Sequence, residues 1–234
     1  MLSEEFKESF SGVVPLFPLP KTVFFPGTRL PLRIFEERYQ RMLHDVRKKE
    51  QLICIVLLDG SENRIPISDG VPAKIHNMGC LGRLTQVGKR PSGLFDIELL
   101  GLCRAMIKSE LPVAEPYRLA KVEPLSDSMV QLSASEKNEV LQRAFDALNR
   151  VLRKYSSFPA EFLTRFKELP LGILLDIIAH HAPCGVQKKQ LFLQETEPLR
   201  RCDKIVEVLD KISQGPGPEK KIRSASLFPL PSKN

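Results

Sequence analysis

Residues 13–38 read VVPLFPLPKTVFFPGTRLPLRIFEER, and this stretch decides the fold. Pro15, Pro18 and Pro20 punctuate its first apolar run. A proline has no N–H to give a sheet ladder, so that run is predicted to be an edge strand or an extended strap. Val23-Phe24-Phe25 reads as a short β-type run, and Pro26-Gly27 supplies turn chemistry after it. Leu30 precedes Pro31, which favours extended backbone again. From Phe35 the spacing turns helical, with Phe35, Tyr39, Met42, Leu43 and Val46 on one stripe. Glu36 and Glu37 suit the positive end of that helix, predicted over about 35–49, and Arg47-Lys48-Lys49 its negative end.

Downstream, Leu52 to Leu58 is a continuous apolar run that fits a strand buried on both faces. Residues 60–72 read as loop. A run of strands follows. Cys80 to Val87 is one, and Gly88 to Gly93 a turn. Leu94 to Leu100 alternates, with Phe95, Ile97 and Leu99 on one face and Asp96 and Glu98 on the other. Gly101 is read as the punctuation before a partner strand over Cys103 to Lys108, and Tyr117 to Glu123 closes the set. Strands with short turns and one helix point to a small, partly closed β-barrel.

After Ser126 the period becomes helical. Ser133-Ala134-Ser135-Glu136 fits a capping box ahead of a stripe of Val140, Leu141, Ala144, Leu148, Val151, Leu152 and Tyr155. Ser157-Phe158-Pro159 breaks it, with Phe162 and Phe166 on a short helix beyond. Further helices are predicted over 170–181, 187–195 and 198–212. The fold class is therefore α+β: a β-barrel subdomain over 13–125, a helical subdomain over 133–213, and a basic tail over 214–234.

The quoted stretch resembles the opening of the Lon protease N-terminal, substrate-binding domain. The family pattern is met by Pro15 to Pro20, Val23, Phe25-Pro26-Gly27, Leu30 to Leu32, Ile34-Phe35-Glu36, Arg38-Tyr39 and Met42. Met78 to Leu84, Gly93 to Arg104 and Pro116 to Val122 resemble later family strands, and Lys188 to Arg201 resembles its helical ending. Ala105 stands where the family usually carries a large apolar residue. The resemblance implies a PUA-like pseudobarrel with one long helix, then a helical subdomain. It also implies recognition of unfolded or partly folded protein segments. Phe24, Phe25, Arg33, Phe35 and Tyr39, near the turn and helix start, are the candidate substrate-binding residues. For each aromatic the competing reading is core packing, since apolar residues at helical spacing face a core.

Chemistry finds little support. No G-x-x-x-x-G-K-[ST] loop occurs, and Gly215 to Lys220 echoes one only with prolines that remove the donors. A chain of 234 residues leaves no room for a Lon-type ATPase or a Ser–Lys peptidase, and no G-x-S-x-G elbow is present. His180 and Cys184 at i, i+4 could share a cation, but a structural zinc site wants four ligands. Five cysteines without a C-x-x-C pair read as reduced core filler in a cytoplasmic protein. Residues 1–6 lack a signal-peptide layout. The expectation is a non-enzyme without metal or cofactor.

The net charge of +7 leaves two alternatives open. A basic face would make the chain a nucleic-acid (RNA) binding module, since PUA-like barrels include RNA binders. Dispersed cations would be ordinary solvated surface. A third reading is an adaptor or regulator docked on a protease or another protein. Leu227 to Pro231 repeats Leu16 to Pro20, so the tail could mimic the strap, or the repeat could be a coincidence of composition.

Overall fold

The computed structural model describes residues 6, 10–60, 73–91, 93–152 and 169–215. The expected helix at 162–166, Tyr155, most of the 60–72 loop and the 227–231 repeat lie outside the described residues. The chain divides into two compact units, Met1–Ser126 and Asp127–Asn234.

The first unit contains β1 (Val13–Leu19), β2 (Arg29–Ile34), α1 (Glu37–Val46), β3 (Leu52–Leu57), β4 (Met78–Lys89), β5 (Phe95–Leu111) and β6 (Leu119–Leu125). Strand order is β2-β5-β4-β3-β1-β6, and a further β5–β6 pairing closes five strands on themselves. β1 runs parallel to β3, and the other pairings are antiparallel. β1 splits its duties. Val13 to Pro15 pair with β6, and Leu16 to Leu19 pair with β3. The proline-punctuated strap is thus an interior strand whose two halves serve different neighbours. Val14, Leu16, Leu52, Cys54, Val56, Leu81, Cys103, Ala105, Ala120 and Val122 form one buried apolar cluster. Phe6 and Phe10 pack against it, their rings stacked 5.4 Å apart.

Two sequence expectations change here. Gly101 does not end a hairpin, because β5 continues through it for 17 residues. Its register with β4 slips there, Leu81 facing Cys103 and Gly82 facing Gly101, so Leu102 is an extra, bulged residue. The bulge lets one strand serve two neighbourhoods: its first part pairs with β2 and β4, its second with β4 and β6. A Cβ at Gly101 would lie 2.2 Å from the Phe25 carbonyl oxygen, so the glycine marks a close approach of backbone.

The second change is at Val23-Phe24-Phe25, which is irregular backbone rather than a strand. It is nonetheless deeply buried, Phe25 wholly so. The segment is pinned by Gly27 N–H to the Gly101 carbonyl at 2.9 Å, and by Thr28 Oγ1 to the Phe25 carbonyl at 2.7 Å.

In the second unit the helices are α2 (Ala134–Leu152), α3 (Leu171–His181), α4 (Val186–Gln194) and α5 (Pro198–Gln214). The capping box forms: Ser133 N–H donates to Glu136 Oε2 at 2.8 Å, and Glu136 N–H donates to Ser133 Oγ at 3.3 Å. The Ser133 hydroxyl also donates to Glu136 Oε2 at 2.7 Å, and this bond together with that from the Ser133 N–H holds the Glu136 carboxyl below its usual range. α2, α3 and α5 bury their apolar faces together, with Leu148, Leu175, Ile205 and Leu209 at the centre. Arg201 is fully buried among them, donating two bonds to Asp127, at 2.9 and 2.5 Å, and one to the Glu195 carbonyl at 2.9 Å. Asp176, also fully buried, lies 3.4 Å from Arg201 Nε. No helix among the described residues is long and apolar enough to cross a membrane.

A candidate protein-binding surface at β2

β2 is the terminal strand of the sheet order, paired on one side to β5 from Arg29–Leu100 to Ile34–Phe95. Among the described residues nothing pairs with its other side. Pro31 sits in mid-strand and cannot donate, so the ladder to β5 rests on Leu30, Leu32 and Ile34. The main-chain groups of Arg29 and Arg33 and the Pro31 carbonyl then face outward.

Directly opposed residues share a face of the sheet. One face carries rows of Leu30–Leu99–Leu84 and Leu32–Ile97–Val87, followed by Ile34 with Phe95. Leu99, Ile97 and Ile34 are buried, whereas Leu30, Leu32, Val87 and Phe95 are only half-buried. An apolar surface thus runs from the core out to the open edge. The other face is ionic. Arg29 bonds Glu98, and Asp96 accepts from Arg33 Nε at 3.0 Å and from Arg90 Nε at 2.5 Å. The bonds from Arg33 and Arg90 hold the Asp96 carboxyl below its usual range.

The structure separates the five sequence-predicted site residues. Phe35 is 65% exposed, and among the described residues it is the only aromatic of the exposed large apolar side chains. It was expected on the buried stripe of a helix starting there. Instead α1 starts at Glu37, and its cap residue Glu36 is extended, so Phe35 lies outside the helical stripe. The Glu36 carboxylate accepts from Arg38 Nε at 2.8 Å and leaves the helix N–H groups uncapped. Arg33 is exposed as well, at the ionic face of β2.

Phe24, Phe25 and Tyr39 are core residues, which corrects their assignment to a surface. The Phe24 ring lies over Gly82, 2.8 Å from where a Cβ would stand. Tyr39 meets the Phe17 ring edge-on at 4.2 Å, with the Arg38 guanidinium 4.6 Å over its own ring. Burial pushes the Tyr39 phenol above its ordinary pKa, against the opposing pull of Arg38. Leu30, Leu32 and Phe95 add a half-buried apolar surface beside Phe35 and were not singled out in the sequence. Their alternation is visible there, but not that β2 ends the sheet.

His180 and His181 meet edge-on at 4.9 Å, and burial pushes them down to about 4 and about 3. Lys189 donates to the His180 carbonyl. Among the described residues no group of three or more His, Cys, Asp or Glu side chains is placed to hold a metal.

A family model described as the ATP-dependent protease La (LON) substrate-binding domain matches residues 13–211. Among curated relatives, Lon protease 2 of Myxococcus xanthus is 27% identical over 88% of this chain. Lon protease of Anaeromyxobacter dehalogenans is likewise 27% identical over 88%. The chain spans 24% of the length of each. Two solved structures share the fold. A Lon N-terminal domain protein from Xanthomonas campestris has a TM-score of 0.56 at 22% identity, covering 83% of this chain and 97% of that one. The N-terminal domain of a Mycobacterium avium complex Lon protease has a TM-score of 0.62 at 16% identity, covering 85% and 98%. With a barrel followed by helices, and with the family match running through both units, the chain belongs to the Lon substrate-binding domain family.

Proposed function

We propose that this protein is a non-catalytic recognition module that binds unfolded or partly folded polypeptide segments along β2. The observation that carries this is the open β2 edge beside an apolar surface of Leu30, Leu32 and Phe95, with Phe35 exposed at its end. An unfolded segment offers what such an edge lacks: free main-chain donors and acceptors, with apolar side chains on alternate positions. The ladder supplies affinity without sequence choice, and the apolar row selects chains that have not buried their hydrophobic residues. Folded proteins have most of their main-chain groups and apolar side chains already engaged. Pro31 and the arginines of β2 keep the edge from pairing with another copy of itself, as is common for exposed strands. The family's description as a substrate-binding domain supports the same reading.

Much of the positive charge is paired within the chain, as in Arg118–Glu110, Arg143–Asp203, Arg150–Asp210 and Lys204–Glu195. That favours dispersed surface charge over a nucleic-acid face. Anisotropy titrations of a labelled, permanently unfolded protein and a labelled RNA, at low and moderate salt, test the proposal. Salt-tolerant binding of the unfolded protein is the expected result. Salt-sensitive RNA binding alone would overturn it, because phosphate contacts release counterions and weaken steeply with salt.

A further inference from the structure

A cavity of about 320 Å³ opens in the first unit between β1, the end of α1 and the start of β6. It lies within the range of small-ligand sites, roughly 300–1,000 Å³, at the lower end. Val13, Pro15, Val46, Leu52 and Leu119 give it apolar walls. Its polar groups are Ser11, Asp45, Lys49, Glu50, Gln51 and Tyr117. The carboxylates are already engaged. Asp45 accepts from the Tyr117 hydroxyl at 3.0 Å and is ion-paired with Arg41, whose Nε lies 3.3 Å away, and Glu50 accepts from the Ser11 N–H at 3.0 Å. Ser11 Oγ bonds the Val13 carbonyl at 3.3 Å.

Lys49 and Gln51 differ. Among the described residues neither side chain makes a hydrogen bond or ion pair, and both are exposed while lining the cavity. Gln51 is also the one non-glycine among the described residues with positive φ, at 58°. That backbone costs energy in a residue bearing a Cβ, and here it turns the chain from α1 into β3 at the cavity mouth.

We propose that this cavity is a binding site for a compact, branched apolar group carrying a carboxylate, with the Lys49 ammonium as counter-ion and the Gln51 amide as a second donor. A cationic ligand would share Asp45 with Arg41 and Glu50 with the Ser11 N–H, since a carboxylate accepts more than one bond. An anion meets donors that are free. The same chemistry is found at the carboxyl end of a polypeptide finishing in Leu or Val, and in a free branched-chain acid. The site is separate from β2 and does not rest on the reading of that edge.

Calorimetric titration of the full chain separates the sources with four probes: the peptide Gly-Ser-Gly-Leu, its C-terminal amide, 4-methylpentanoate, and isopentylamine. The expected result is saturable binding of at least one acid, about tenfold tighter than the amide or the amine. Binding of the peptide acid assigns the site to chain ends, and binding of 4-methylpentanoate alone assigns it to small free acids. Lys49→Met, at an exposed position, should remove the preference for the carboxylate. Leu119→Trp should fill the cavity and abolish binding. Equal binding of acid and amide, tighter binding of the amine, no saturation by either acid, or an unchanged preference in Lys49→Met would each overturn the proposal. A Phe35 variant should leave all four titrations unaltered.

Discussion

The two units differ in their best-defined buried clusters, although each buries an arginine, Arg104 in the first and Arg201 in the second. The barrel closes around an apolar cluster in which the only hetero atoms on side chains are the thiols of Cys54 and Cys103, with burial pushing both up to about 12. The helical unit buries, beside its apolar residues, a guanidinium, Arg201, held between Asp127 and the fully buried Asp176. An apolar cluster tolerates change as long as volume is kept, with costs usually under about 1.5 kcal/mol. A buried charge tolerates little, because each partner exists to cancel another. The barrel's apolar cluster is therefore held by shape, and the surroundings of Arg201 by pairing.

Arg201→Ala is the severest test of that contrast. It removes the partner of two carboxylates, and breaking a buried pair in this way costs roughly 3–5 kcal/mol. Hydrogen exchange of the α3 and α5 amides should accelerate accordingly, while exchange in β3 and β4 stays put. A loss below about 1 kcal/mol would mean that the pair contributes little and that the helices are held by their apolar faces alone.

Acid should find the same unit first. His180 and His181 stay neutral in the folded protein down to about 4 and about 3, because burial disfavours their charged forms. An unfolded histidine takes up its proton near 6.5. Stability present above pH 6.5 is therefore lost as pH falls toward 3, by at most about 1.4 kcal/mol per pH unit for each histidine. Lys189 is positive beside both and lowers them further, so the two effects share a sign. A pH series of α3 and α4 amide exchange should show protection falling below pH 6.5, and His181→Leu should flatten that slope. A slope unchanged in the variant would show that the histidine is not its source.

The barrel has its own rigid point. Gly101→Ala sets a methyl 2.2 Å from the Phe25 carbonyl oxygen and 3.2 Å from Pro26 Cα, both of them backbone atoms of one segment. Neither can swing away as a side chain would, so we expect a loss of about 1–3 kcal/mol, in the range of overpacked cores. Urea unfolding read from the barrel amides checks it. A neutral outcome would mean that the 20–28 segment lifts off the strand without cost.

How much of this could be read from residues alone follows the reach of each signal. Local signals were legible. The β3 run is buried on every residue, and the Ser133–Glu136 box caps α2 as its spacing implied. The prolines of β1 suggested an edge, yet β1 lies between β3 and β6, because its two halves are never asked to pair on the same side at once. Gly101 looked like a turn because close backbone approach and chain reversal both call for glycine. Phe35 fitted the helical stripe by spacing, and only the two-residue extended link after Ile34 puts it outside. The buried charge of Arg201 had no local mark at all, since Asp127 and Asp176 are distant in sequence. Of the proposed surface, Arg33 and Phe35 stood among the candidates read from the sequence and Leu30, Leu32 and Phe95 did not. Exposure at a strand depends on what lies beside it, which no window of sequence contains.

The mildest substitution for stability is the most informative for function. Phe35 is 65% exposed, so Phe35→Ser should move the unfolding free energy by no more than about 0.5 kcal/mol. Its partner in the test is Leu32→Ser, which alters the half-buried row between Ile97 and the open edge. If the β2 surface takes extended apolar chains, both changes should weaken binding of the unfolded protein several-fold. Phe35→Ser would do so with an unaltered melting temperature, and Leu32→Ser with a modest fall. A proline-rich version of the same unfolded probe should bind less well than the parent, because it lacks the N–H groups that the edge carbonyls would accept. Full affinity in Phe35→Ser together with loss in Leu32→Ser would move the site onto the strand face and away from the loop. Full affinity in both would remove β2 from the reading of this protein, even with the fold and family intact.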